Sequence, residues 1–190
     1  LPLHDARPIC QRDGTFEDEL TGDDDLNEID RQSYRGQLYW TPNDSLDVRA
    51  IGYYSLNEAN QGEAERSFNT DSAWWAYLNA VQASQNIPAP GLDDEDRKVQ
   101  GTSPNHSKVE VQGGSLQIDY ALGSGVTLTS ITALQSWSIK ENYSDIDGIA
   151  IDFSRGSVDA EEDVFTQEIR FTSPGGEKLD WLAGLYYFDS

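Results

Sequence analysis

Period-two alternation limits what this chain can fold into, because only a β-strand puts successive side chains on opposite faces. Tyr34, Gly36, Leu38 and Trp40 alternate with Arg35, Gln37, Tyr39 and Thr41. Pro42-Asn43-Asp44-Ser45 then supplies turn chemistry, and Leu46, Val48 and Ala50 alternate with Asp47 and Arg49. The pattern returns with Leu116, Ile118 and Tyr120 against Gln117 and Asp119. Gly123-Ser124-Gly125 turns the chain there, and Val126 opens a long second strand. It returns again with Phe165, Gln167, Ile169 and Phe171 against Thr166, Glu168, Arg170 and Thr172. Ser173-Pro174-Gly175-Gly176-Glu177-Lys178 reverses the chain, and Leu179 to Phe188 runs back. Strand, tight turn, strand, three times over, predicts an all-β fold of about six antiparallel strands.

The connections are unequal. Residues 1–30 read as an acidic loop, 31–56 as the first hairpin and 57–108 as a long loop. The second hairpin is expected over 109–144, a further loop over 145–162 and the third hairpin over 163–190. One short helix is expected in the long loop, over Ala73 to Ala83, capped by Asp71 or Ser72 and closed by Pro88 and Pro90. Short turns on one side and long loops on the other is the asymmetry of outer-membrane β-barrels. Polar side chains such as Arg35, Gln37, Asp47, Arg49, Gln117, Asp119, Glu168 and Arg170 would line the lumen, and the apolar set would face outer-membrane lipid. Tyr39, Trp40, Tyr120 and Trp181 lie near turns, where interfacial aromatic girdles sit. A soluble antiparallel sheet with one wet face produces the same alternation.

Charge narrows the partners. The 190 residues carry a net charge of −21, which repels nucleic-acid phosphates and excludes a nucleic-acid partner. Aromatic residues reach 11%, too many for a disordered acidic chain. No stretch approaches the roughly 20 apolar residues of a membrane helix, a test that barrel strands escape. The start, Leu1-Pro2-Leu3, has no leader character, so the chain reads as an internal piece of a longer protein. Cys10 is the sole cysteine, and with only His4 and His106 as imidazoles a structural zinc site is not expected.

No nucleophile-elbow or metalloprotease motif occurs, and the chain is not expected to be an enzyme. The candidate ligand-binding residues are Trp74, Trp75 and Tyr77, whose rings would stack on a flat ligand or else hold the loop helix down. Asp23, Asp24 and Asp25, with Asp145 and Asp147, are the candidate metal residues, Ca²⁺ being the cation that takes carboxylate oxygens in such number.

The third hairpin, Phe165-Thr166-Gln167-Glu168-Ile169-Arg170-Phe171-Thr172-Ser173-Pro174-Gly175-Gly176-Glu177-Lys178-Leu179-Asp180-Trp181-Leu182-Ala183-Gly184-Leu185-Tyr186-Tyr187-Phe188, closely resembles a barrel hairpin of TonB-dependent receptors. Arg35 to Val48 resembles an earlier hairpin of that family, and Val126 to Leu134 a strand between the two. The resemblance implies a segment of a plugged barrel of about 22 strands in the bacterial outer membrane, with long loops extracellular. It implies import of a scarce nutrient ligand: a siderophore complex, cobalamin or an oligosaccharide. The remainder of the receptor would supply the plug and other strands, and a periplasmic energy-coupling protein would act through that plug. Residues 31–56 and 109–190 carry the likeness; no coupling or plug position has a counterpart here. Two other readings stay open: self-association through open β-edges into a cation-bridged filament or oligomer, and a soluble β-sandwich adhesin.

Overall fold

The computed structural model describes residues 9–60, 69–89, 96–102, 105–141, 144–145, 149–176 and 178–190. In chain order the elements are β1 (Ile9–Arg12), β2 (Glu17–Asp18), β3 (Ile29–Asn43), β4 (Leu46–Ala59), α1 (Ala73–Ser84), β5 (Lys98–Val99), β6 (Ser107–Ala121), β7 (Thr127–Glu141), β8 (Ser144–Asp145), β9 (Arg155–Gly156), β10 (Asp159–Thr172) and β11 (Leu182–Asp189). The fold is all-β. Seven strands form one sheet in the order β1-β3-β4-β6-β7-β10-β11, and every neighbouring pair is antiparallel. The segment 1–30, expected as a loop, contributes β1, so the sheet has one strand more than expected.

Short reversals lie at one end of the sheet. Asn43 and Leu46 pair across the first, where the Asn43 carboxamide oxygen accepts from the Ser45 N–H at 2.9 Å. In the second, Gly125 takes φ +81°, a left-handed conformation that glycine adopts without steric cost. The third is closed by the Ser173 N–H donating to the Trp181 carbonyl at 2.9 Å. The connections β1–β3, β4–β6 and β7–β10 all lie at the opposite end, as the register pairs Arg12 with Ile29, Ile29 with Ala59, Ala59 with Ser107 and Lys140 with Asp159.

Strands run further toward that loop end than the alternation suggests. β4 reaches Ala59, β6 starts at Ser107 and β10 starts at Asp159. The added residues include Glu58, Lys108 and the acidic run Asp159 to Glu162, whose polarity resembles loop while their backbones stay paired.

Register assigns each side chain to a face. One face carries, row by row, Leu38–Ala50–Leu116–Thr132–Gln167–Tyr187 and Trp40–Val48–Ile118–Ser130–Ile169–Leu185. Leu46–Tyr120–Leu128–Phe171–Ala183 completes this apolar band next to the turns. Among the described residues nothing covers this band. Leu38 is 46% exposed, Leu116 41%, Ile169 38% and Phe171 40%. Among the described residues the backbone contacts of the long strands are with their lateral neighbours in the sheet, and no other element packs extensively against either face. The opposite face at the same level is richer in polar side chains, many of them bonded to one another, with Ile51, Ile131, Tyr186 and Phe188 as its large apolar members. Tyr39 and Thr41 hydroxyls both donate to Asp47 at 2.8 Å, Arg49 donates to Gln37 at 3.3 Å, Gln117 donates to Asp119 at 2.7 Å, and Arg170 pairs with Glu168 at 3.2 Å.

Within the apolar band Ser130, Thr132 and Gln167 are polar, and they satisfy one another. Thr132 donates to the Gln167 carboxamide oxygen at 2.6 Å, and the Gln167 amide donates to Ser130 at 3.1 Å. Mutual pairing satisfies much of their hydrogen-bonding capacity within the band.

Toward the loop end the faces exchange character. Glu58, Lys108, Glu110, Lys140, Asp159, Glu161 and Asp163 occupy the face that is apolar below, while Val109, Val111, Trp137 and Ile139 occupy the other. Lys108 and Glu58 form an ion pair at 2.9 Å there. Aromatic pairs mark the border: Tyr34 and Tyr54 stack at 6.4 Å, and Phe165 meets Tyr187 at 6.0 Å.

Candidate functional site

The long connections fold together into a cap over one end of the sheet. β2 pairs in parallel with β5, joining the first connection to the second, and Lys98 lies 3.8 Å from Glu17 and 3.6 Å from Glu19. Asn27 and Asn60 add backbone bonds between the same two connections. The apolar centre of the cap is Leu78, Ile149 and Ile151, with Trp75 and Val81 packed against it, so α1 is seated on the third connection.

α1 forms where its sequence directs. The Ser72 hydroxyl accepts from the Trp75 N–H at 3.1 Å, capping one of the first-turn donors that have no helical partner. Trp75, Leu78 and Gln82 then share one stripe at spacings of three and four. Gln82 is buried, and its amide donates to Gln100 at 3.0 Å and to the Pro88 carbonyl at 3.2 Å. Gln100 passes the link to Glu19 at 3.3 Å. The helix ends at Ser84, before Pro88, with Gln85 as its cap.

The three candidate aromatic residues separate into two roles. Trp75 packs inward and anchors the helix. Trp74 and Tyr77 lie on the edge of the buried stripe and stay about half exposed. Their rings sit 5.7 Å apart at 33°. A third ring, Phe153 from the connection after β7, lies 5.5 Å from Trp74 at 44° and is equally exposed. The result is an open aromatic patch assembled from two connections. Beside it Asp152 accepts from Arg155 at 2.9 Å. Sequence reasoning did not single out Phe153; its one signal was the preceding apolar run Ile149-Ala150-Ile151.

The acidic candidates fall on different connections. Asp23 turns back on its own loop, accepting from the Asp25 N–H at 3.0 Å and from the Asn60 amide at 3.4 Å. Asp24 belongs to the same loop, and Asp145 lies in β8, on the other connection. Asp147 lies outside the described residues. Among the described residues no group of three or more carboxylate, imidazole or thiolate side chains is arranged to hold a metal ion. Cys10 is an exposed free thiol in β1.

An open cleft of about 730 Å³ lies mid-sheet, bordered by Tyr53, Gly113, Gly114, Leu134 and Phe165. Gly113 and Gly114, adjacent on β6, add no side chain to its walls. No family model, curated protein or solved structure matches this chain.

Proposed function

We propose that this chain forms part of the wall and outer loops of a bacterial outer-membrane transport barrel of the TonB-dependent receptor kind, which binds and imports a scarce nutrient. The observation that carries the reading is the apolar band over five long strands, uncovered among the described residues and backed by a more polar, hydrogen-bonded opposite face. In water such a band would be an association surface. In lipid it is the outer wall, and the polar face lines the interior. From the level of Tyr54 to that of Leu46 is eight residues, about 26 Å along a strand and about 20 Å after a 40° tilt. That is of the order of the roughly 25 Å apolar band of outer-membrane barrels. Strands of 14 and 15 residues exceed the roughly 9–11 needed to cross. The excess emerges at the loop end, which explains why the outer face turns charged there.

The reading requires further strands and a plug from the remainder of the receptor, and places the folded cap outside the cell as the first surface a nutrient meets. It assigns the chain no catalytic role. Fractionation tests it: the protein should sediment with outer membranes, resist alkaline carbonate and high salt, and leave only with detergent. Recovery in the aqueous fraction would refute it.

One observation favours a second reading. β1 pairs β3 only from Ile29 to Gln32, so the outer edge from Ser33 to Asn43 and that of β11 have no strand beside them among the described residues. In an isolated chain two such edges would template addition of identical copies. Ordered polymers in detergent-free buffer would favour that assembly.

A further inference from the structure

We infer that the patch formed by Trp74, Tyr77 and Phe153 binds a small organic cation of the ammonium or guanidinium class. The inference rests on the reading of the cap as a ligand-receiving surface and adds the charge of the ligand to it.

Trp74 is the common member of the patch, with Tyr77 and Phe153 both tilted against it. Anchoring the helix does not account for this arrangement, because Trp75 and Leu78 already provide the anchor from the buried stripe. The exposed rings present π-faces, whose negative quadrupole attracts a cation lying within about 6 Å of the centroid. Because the rings come from two connections, the patch exists only while the cap is folded.

Charge complementarity selects among flat ligands. The turn-end halves of the hairpins, residues 35–52, 114–134 and 166–184, hold four basic and six acidic side chains, a net of −2. The three connections, residues 13–28, 60–106 and 142–158, hold eighteen acidic and four basic side chains, a net of −14. The cation nearest in sequence to Phe153, Arg155, is engaged by Asp152. An anion approaching this cap is repelled over about a Debye length, roughly 10 Å at 0.1 M salt. A neutral sugar gains stacking and nothing from the field, whereas an organic cation gains both.

The chain is prepared in lipid nanodiscs with ¹⁵N-labelled tryptophan and titrated with choline, with its uncharged isostere 3,3-dimethylbutan-1-ol, and with maltohexaose. Choline should shift the indole signal that Trp74→Phe deletes. The isostere should bind about three- to fivefold more weakly, the size of an exposed cation–π contribution. Raising NaCl to about 0.5 M should weaken choline and leave the isostere unchanged. Phe153→Leu, which keeps apolar bulk, should lose choline binding while the Trp75 signal reports an intact cap. Equal binding of the isostere, preference for maltohexaose, binding indifferent to Phe153→Leu, or no choline response would each overturn the inference. Those results leave the membrane reading standing, since membrane residence is measured separately by fractionation.

Discussion

Tyr53 and Gly113 meet closely across two strands. The Tyr53 ring lies over the bare backbone of Gly113 and its hydroxyl donates to Gln135, one strand further on, at 3.0 Å. A Cβ placed on Gly113 would stand 2.5 Å from the Tyr53 hydroxyl and 2.6 Å from the Leu134 carbonyl oxygen. One contact is a movable side chain, but the other is sheet backbone. Gly113→Ala should therefore cost about 1–3 kcal/mol, as overpacking does. Gly36 and Gly52, with nothing within 4 Å of such an atom, should accept alanine without loss. Urea midpoints of the three variants in lipid check this: a Gly113→Ala midpoint equal to that of Gly36→Ala would show that Tyr53 does not lie where described.

At the scale of elements, α1 is held by its tertiary seat more than by its own propensity, since a 12-residue helix is marginal alone. Leu78 is fully buried against Ile149 and Ile151. Leu78→Ala should destabilise the cap by about 2–5 kcal/mol, and Ser72→Ala by about 1 kcal/mol through the lost cap. Hydrogen exchange of the α1 amides reads both, and a cap that exchanges no faster in Leu78→Ala would refute the proposed seat. The hairpins and the helix were legible in the sequence for local reasons: period-two alternation beside turn residues, and a capping serine ahead of an apolar stripe. The loop-end parts of β4, β6 and β10 were not, because Glu58, Lys108 and the run Asp159 to Glu162 carry no apolar face to reveal a strand. Phe153 was illegible as a partner of Trp74 because their contact joins two connections far apart in the chain. The dispersal of Asp23 and Asp145 onto separate connections was equally hidden, since both sit in acidic runs that look alike.

The whole molecule is polarised twice, once between the two faces of the sheet and once between its turn and loop ends. The proposed placement, with turn-end strands in lipid and loop ends in water, would account for both gradients. On this account adjacent residues of one strand meet opposite solvents. Leu116→Arg should destabilise the membrane form by about 2–4 kcal/mol, the cost of an arginine on a lipid face. Gln117→Arg, pointing into the polar interior, should change stability little; equal losses in the two variants would contradict the face assignment. The most direct measurement is spin-label accessibility in outer-membrane vesicles, on a Cys10→Ser background, with single labels at positions 35, 37, 38, 116, 117, 168, 169 and 171. The account predicts high collision with oxygen and low collision with a water-soluble nickel chelate at 38, 116, 169 and 171, and the reverse at 35, 37, 117 and 168. Labels at 38, 116, 169 and 171 shielded from both reagents, as in an enclosed protein core, would contradict it.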